Sequence, residues 1–422
     1  MDLKRVLIIT YYWPPSGGSG VQRWLKFSKY LPENGWKPVI LTPENPDFEL
    51  IDNGLLQDVP SEAEVLQIPI WEPFGLYRKV FGGEAKGVQG GGLSSHKLSL
   101  AKRLSIWVRG NCFIPDTRML WINPASWFLI NYIKDNPDIK TIVSTGPPHS
   151  MHMVALKVKK KLPQIKWVAD FRDPWTNLDF YRELMLSKWA DSRHRKLENT
   201  VLQTADEVVC VGKVWADELE ELGAKKCHVI TNGYDEDDIP KEHVELADKY
   251  SIAHIGTLGW ARNPQKLWEY LSDRVRADRA FADQLEIKLI GHVDDRVLEQ
   301  LVQLGLRPFL NHLKYLPHSE AIVEQRRAHV LLLLINNSPN SNGILTGKVF
   351  EYLASQRPIL CVGPKDSEIN RLLMKLGCGK IYDYDERPDL DTFHREVSVT
   401  SDDEIRRYSR RALTKDMARL FD

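Results

Sequence analysis

The sequence predicts an α/β protein built from two doubly wound, Rossmann-like domains. Three observations carry that expectation. Apolar runs of strand length alternate with longer segments of helical spacing, as in parallel βαβ units whose strands are covered on both faces. The runs fall into two blocks, and 422 residues exceed what one domain of ~150 residues holds. Between the blocks lies Asn232-Gly233-Tyr234-Asp235-Glu236-Asp237-Asp238, acidic and turn-forming, where a linker is expected.

Taken in order, residues 5–10, 37–42, 64–68, 141–145, 167–171, 207–212 and 228–232 read as the strands of the first block, most of them rich in Val and Ile. Residues 251–256, 286–291, 310–316, 330–335, 358–363 and 380–384 read as those of the second. Ile405, Tyr408, Leu413, Met417 and Leu420 recur at roughly helical spacing, which predicts a closing amphipathic helix. The expected division is a first domain over 1–232, a second over 233–401, and a helix over 402–422 returning to the first.

One stretch breaks the rhythm. Between residues 74 and 118 come Gly82-Gly83 and Gly90-Gly91-Gly92, then Lys97, Lys102, Arg103 and Arg109 interleaved with Leu98, Leu100, Leu104, Ile106 and Trp107. A glycine-rich arm and a basic amphipathic helix over 97–109 fit a membrane surface. An ordinary helix with its apolar stripe on the core fits the same pattern.

Charge bounds the partners. Lys plus Arg and Asp plus Glu each number 57, so the net charge is zero and no whole-surface footprint for nucleic acid exists. The five cysteines form no C-x-x-C pair, which argues against a zinc ribbon or a disulfide framework and for a reducing, cytoplasmic setting. The apolar runs at 6–10 and 330–335 are too short to span a membrane. The expected location is therefore cytoplasmic, with peripheral attachment at the inner face of the membrane through 97–109.

Two loops stand out as binding sites. The first strand runs into Trp13-Pro14-Pro15-Ser16-Gly17-Gly18-Ser19-Gly20, after which Trp24, Phe27 and Leu31 recur at helical spacing. Glycines let backbone N–H groups approach a ligand, and a helix N-terminus attracts an anion or a polarised hydroxyl; a tight turn alone accounts for the same residues. The Gly-Gly-Ser-Gly order is not the G-x-G-x-x-G of nicotinamide binding. The second loop is Asn342-Gly343-Ile344-Leu345-Thr346-Gly347-Lys348-Val349-Phe350-Glu351-Tyr352-Leu353-Ala354. Thr346 and Gly347 would open a helix whose free N–H groups suit a diphosphate, Lys348 adds a full charge, and Glu351 one turn on can accept from a ribose diol. His149, after Pro147-Pro148, and Asp170-Phe171-Arg172-Asp173 follow strands, where open α/β sheets bind ligands. A turn histidine and an Arg172–Asp173 salt bridge are the structural alternatives.

The run 346–355 with Arg357-Pro358-Ile359-Leu360 resembles the donor-site motif of family 4 retaining glycosyltransferases of the GT-B type. The 13–18 loop is similar to that family's acceptor-side loop, here Gly17, Gly18 and Ser19. The resemblance extends through Ile114-Pro115-Asp116, 144–150, 170–175 and 232–235. It departs at three places. Gly343 stands where the family's first motif glutamate is usual, Thr257 replaces an arginine, and Arg262 replaces a phosphate-binding lysine.

What the resemblance implies is two domains facing across a cleft and transfer of a sugar, with retention, from a nucleotide diphosphate sugar to a hydroxyl acceptor. The acceptor is expected to be a sugar or lipid-linked one in cell-surface polysaccharide or glycolipid assembly. Arg262, Thr346, Gly347, Lys348 and Glu351 would bind the donor, and His149, Arg172 and Asp173 would serve the reacting centre or the acceptor. No cofactor and no metal are expected beyond the co-substrate. Asp383-Tyr384-Asp385 and Asp389-Leu390-Asp391 read as solvated loops, since protein cations can neutralise the leaving phosphates. The alternatives are a nucleotide-sugar 2-epimerase of the same fold and a non-catalytic scaffold.

Overall fold

The computed structural model describes residues 3–48, 50–72, 100–177, 179–398 and 400–422. The described residues divide into two compact units, one of 3–72, 100–231 and 410–422, the other of 232–409. The glycine-rich arm predicted after residue 82, and Lys97 and Leu98 with it, lie outside the described residues.

The first unit holds a parallel sheet of seven strands: β1 (Lys4–Ile9), β2 (Trp36–Pro43), β3 (Glu64–Ile68), β4 (Thr141–Gly146), β5 (Lys166–Phe171), β6 (Glu207–Cys210) and β7 (Cys227–Val229), in the order β3-β2-β1-β4-β5-β6-β7. Its helices are α1 (Ser19–Tyr30), α2 (Leu100–Cys112), α3 (Ile122–Asp135), α4 (Ser150–Lys161), α5 (Lys188–Thr204) and α6 (Lys213–Glu221). The strands are apolar on both faces because helices cover both: Val6, Leu7, Ile8 and Ile9 are all fully buried.

The second unit repeats the plan with six parallel strands, β8 (Tyr250–Ile255), β9 (Leu285–Ile290), β10 (Leu310–Leu313), β11 (Val330–Leu334), β12 (Ile359–Val362) and β13 (Gly379–Tyr382), in the order β10-β9-β8-β11-β12-β13. Between them run α7 (Gln265–Ala277), α8 (Arg279–Gln284), α9 (Asp295–Gln303), α10 (His318–Arg327), α11 (Gly347–Ala354) and α12 (Glu368–Leu376), followed by α13 (Leu390–Glu396) and α14 (Asp402–Arg406). Both sheets reverse direction once, between β1 and β4 in the first and between β8 and β11 in the second. Ligands of open α/β sheets bind beyond the strand carboxyl ends at such switch points.

All thirteen predicted strands occur; β6 stops at Cys210, short of the expected 212, and the larger differences fall at the edges. Residues 314–316 do not extend β10, an edge strand paired only with β9. At the other edge β7 begins at Cys227; the Ile230 N–H still donates to the Cys210 carbonyl, while the Ile230 and Thr231 carbonyls accept from Arg23.

The last helix, α15 (Arg410–Ala418), belongs to the first unit, whereas 402–409 stay with the second. Leu413, Met417, Ala418 and Phe421 join Val6, Ile8, Trp24, Phe27 and Trp36 in one core, with Phe421 edge-on to Trp36 at 5.3 Å. Burying a side chain such as Phe421 contributes about 1.5–3 kcal/mol.

Candidate functional site

The residues expected from sequence to bind the donor gather at the switch point of the second unit. Strand β8 ends at Gly256, whose φ of +132° places it in backbone space that side chains rarely enter. A Cβ there would lie 2.3 Å from both Nζ and Cε of Lys348, so the lysine stem rests on the bare glycine. Lys348 comes from the first turn of α11, after β11, and its N–H donates to the capping hydroxyl of Thr346 at 3.1 Å. Among the described residues no carboxylate lies within 4 Å of its ammonium. Burial lowers its pKa; Glu351 opposes that shift and Arg262 adds to it.

Arg262 closes the short turn Trp260–Arg262 after β8. Behind it His254 is buried, with Nδ1 on the Leu332 carbonyl at 2.9 Å. Burial, and then Lys348 and Arg262, hold that ring down at about 4. Glu351, half-buried on α11, accepts from Gln325 Nε2 at 3.3 Å, and Gln325 in turn accepts from Ser355. The structure thus brings Arg262, Lys348 and Glu351 to one place with the N-terminus of α11 at Thr346-Gly347. His254 and the seat at Gly256 were not singled out from sequence; the glycine's place at the end of a predicted strand was the available signal.

In the first unit the predicted loops meet at the β1/β4 switch point. Gly17 pairs with the segment after β2: its N–H donates to the Leu50 carbonyl, and Asp52 N–H donates to the Pro15 carbonyl. A Cβ on Gly17 would meet the Leu50 side chain at 2.8 Å, so a larger residue there would have to displace it. Gly18 occupies the N-cap of α1 and Ser19 its first turn, with no side chain capping the helix. Arg172 ties the loops together. Its guanidinium donates to the Gly20 carbonyl at 2.9 Å, to the Pro147 carbonyl at 3.4 Å and to Asp173 at 3.2 Å. The salt-bridge alternative named above for Arg172 and Asp173 is therefore present.

His149 is buried and stacks on Trp175, ring centres 4.7 Å apart and planes 2° from parallel. Neither of its ring nitrogens has a hydrogen-bond partner among the described residues, nor has Nε2 of His152. His149 Nδ1 and His152 Nε2 converge over Gly146, where a Cβ would lie 2.9 and 2.6 Å from them. Burial, then the neighbouring His152, His194 and Arg172, pushes His149 well below the ordinary histidine range, and burial takes His152 to about 3. Both rings are neutral at pH 7. A neutral imidazole can donate one hydrogen bond and accept another, which suits a sugar hydroxyl.

Two supporting groups set this geometry. Asp116 accepts from the backbone N–H and the hydroxyl of Ser150, each at 2.8 Å, capping α4 beside His149. Asp170 is fully buried and accepts from Arg23, Trp24 Nε1 and Thr145. Burial alone would raise its carboxyl; Arg23 and the other donors hold it below the usual range. Asp170 thus anchors the sheet end. Arg23 lies in α1, just after the glycine-rich loop, and is not among the residues the sequence singles out.

Asp389 caps α13 and Asp391 pairs with Arg274 at 2.8 Å, so this D-x-D pattern is occupied by its own surface. Among the described residues no group of three His, Cys, Asp or Glu could hold a metal ion, and no helix is long and apolar enough to cross a membrane.

A model of Glycosyltransferase Family 4 matches residues 91–238. Among solved structures, sucrose-phosphate synthase from Thermosynechococcus elongatus aligns over 99% of this chain and 98% of its own, with a TM-score of 0.63 at 11% identity. A glycosyltransferase from Rickettsia africae aligns over 100% and 98%, with a TM-score of 0.62 at 12%. A TarM variant from S. aureus, solved with UDP, alpha-GlcNAc-glycerol and fondaparinux, aligns over 99% and 96%, with a TM-score of 0.56 at 10%. No curated protein matches the chain in sequence. The two parallel sheets and their order define a GT-B fold. The family 4 match covers a segment of about a third of the chain, residues 91–238, within the first unit and the start of the second.

Proposed function

We propose that the second unit binds a nucleotide diphosphate sugar and that the first receives a hydroxyl acceptor, to which the sugar passes with retention. One observation carries this reading: the Lys348 ammonium, seated on Gly256 beside Arg262 and the start of α11 at a switch point, has no carboxylate within 4 Å among the described residues. When the bond from the anomeric carbon to the diphosphate breaks, the electron pair leaves with the phosphate. Fixed cations and backbone N–H groups stabilise that growing charge without reorganising. Glu351, oriented by Gln325, accepts from the ribose diol. UDP is the nucleotide found with the S. aureus TarM variant, which makes it the first probe.

In the first unit His149, neutral and without a partner, contacts a hydroxyl of the transferred sugar or acceptor. Arg172 is a positioning residue holding the loops that carry it, and Asp173 holds Arg172. Gly17, Gly18 and Ser19 face the acceptor side. The leaving phosphate takes the acceptor proton as the new glycosidic bond forms on the same face, so no protein base is required. The acceptor is a sugar or lipid-linked molecule of the cell surface, presented at the inner face of a membrane.

Calorimetric titration with nucleoside diphosphates tests the donor assignment. Glu351→Ala should weaken binding by about 1–3 kcal/mol, the worth of a charge-assisted hydrogen bond, and turnover should survive a chelator. Unchanged affinity in the variant removes Glu351 from the site; loss of activity restored by metal removes the cation argument.

A further inference from the structure

We infer that the α2 face and the start of α5 form one docking surface for an anionic lipid bilayer. The inference rests on the reading above that the acceptor is membrane-borne, and adds to it a second wall that the sequence did not reveal.

The two elements are bolted together. Asn111, at the end of α2, donates from Nδ2 to the Met185 carbonyl at 3.2 Å and accepts the Ser187 N–H at 2.7 Å. Gly110 approaches so closely that a Cβ would lie 2.6 Å from the Leu184 carbonyl. Trp107 lies one helical turn before this junction and Trp189 two residues after it. Both indoles face solvent, Trp107 at 44% and Trp189 at 68% exposure, with Leu104 at 62% one turn further along α2. On a helix, Arg103 and Trp107 share a face at i and i+4, and so do Trp189, Arg193 and Lys196 at i, i+4 and i+7.

Charge selects the occupant. The chain as a whole is neutral, yet α2 contains no acidic residue. On α5, exposed Lys188, Arg193, Arg195 and Lys196 outnumber Asp191, which is engaged by Tyr181 and Arg195, and Glu198, which is buried; Lys188 and Arg195 also line a hollow with Glu218 and Glu221 of α6, which leaves Arg193 and Lys196 on the Trp189 face. Indoles favour the headgroup level of a bilayer, and arginine and lysine favour its anionic lipids. An interface with another protein would use the indoles but would not require this local excess of one sign.

The test uses the full chain and sedimentation with phosphatidylglycerol-containing and pure phosphatidylcholine vesicles. Wild type should bind the anionic vesicles more tightly, and less so at high salt. The double variant Trp107→Ser/Trp189→Ser should lower that partition at least about tenfold, and Arg103→Glu/Arg193→Glu should abolish the preference for anionic lipid. Lys160→Glu/Lys161→Glu removes exposed charge from the end of α4, where no indole lies beside it, and should bind as wild type does. Equal partition by wild type and both α2/α5 variants overturns the proposal, as does wild type that binds neither vesicle. Nucleoside diphosphate affinity, measured in parallel, should be unchanged in every variant. Its loss in wild type would instead strike the donor assignment and leave the docking result to stand by itself.

Discussion

Replacing Lys348 by Met removes a cation that burial disfavours and that no carboxylate within 4 Å compensates among the described residues. The variant should be as stable as wild type or up to about 2 kcal/mol more stable in urea, because an unpaired buried charge costs folding free energy. It should also bind nucleoside diphosphates about 2 kcal/mol more weakly, the scale of hydrogen bonds to charged groups. A variant that is less stable yet binds normally would show the lysine to be structural. At this scale the sequence displayed Lys348 and Glu351, since they share one helix. It did not display Gly256 beneath the lysine or Arg23 beneath Asp170, because those contacts join residues 92 and 147 positions apart. His149 was legible as a residue at a strand end; its stacking on Trp175 depends on the path of the following loop.

The elements were the most legible level. Parallel strands covered on both faces must be apolar throughout, so each run was visible without reference to its partners. The discrepancies sit where neighbours are missing, at β7 and β10. Helix α4 shows what periodicity leaves out: its cap comes from Asp116, in a loop 34 residues earlier. Asp116→Ala should destabilise the first unit by about 1 kcal/mol, as lost caps do. By shifting the turn that carries His149 it should also raise the acceptor KM more than the donor KM. Equal effects on both substrates, or none, would separate the cap from the site.

Across the molecule, four buried histidines make acid the weak side of the fold. His149, His152 and His194 in the first unit and His254 in the second are held below the ordinary histidine pKa of about 6.5, chiefly by burial. Below that pH the unfolded chain takes up protons that the folded chain refuses. Their contribution is therefore present above pH 6.5 and is lost as the pH falls toward about 4 for His254 and about 3 for His152. The slope is at most about 1.4 kcal/mol per pH unit for each ring. Urea unfolding at pH 7.5, 6.5 and 5.5 should show stability falling only slightly over the first interval and more steeply over the second; a level profile would contradict neutral burial. The chain order of the units has a further consequence, for synthesis. Among the described residues the second unit is a continuous insertion at 232–409, its ends joined where Tyr234 bridges Ser409. The first unit cannot complete its core until Leu413, Met417 and Phe421 have left the ribosome. The domain begun first is thus finished last, and a nascent chain stalled before residue 410 carries a closed second unit beside an open first one.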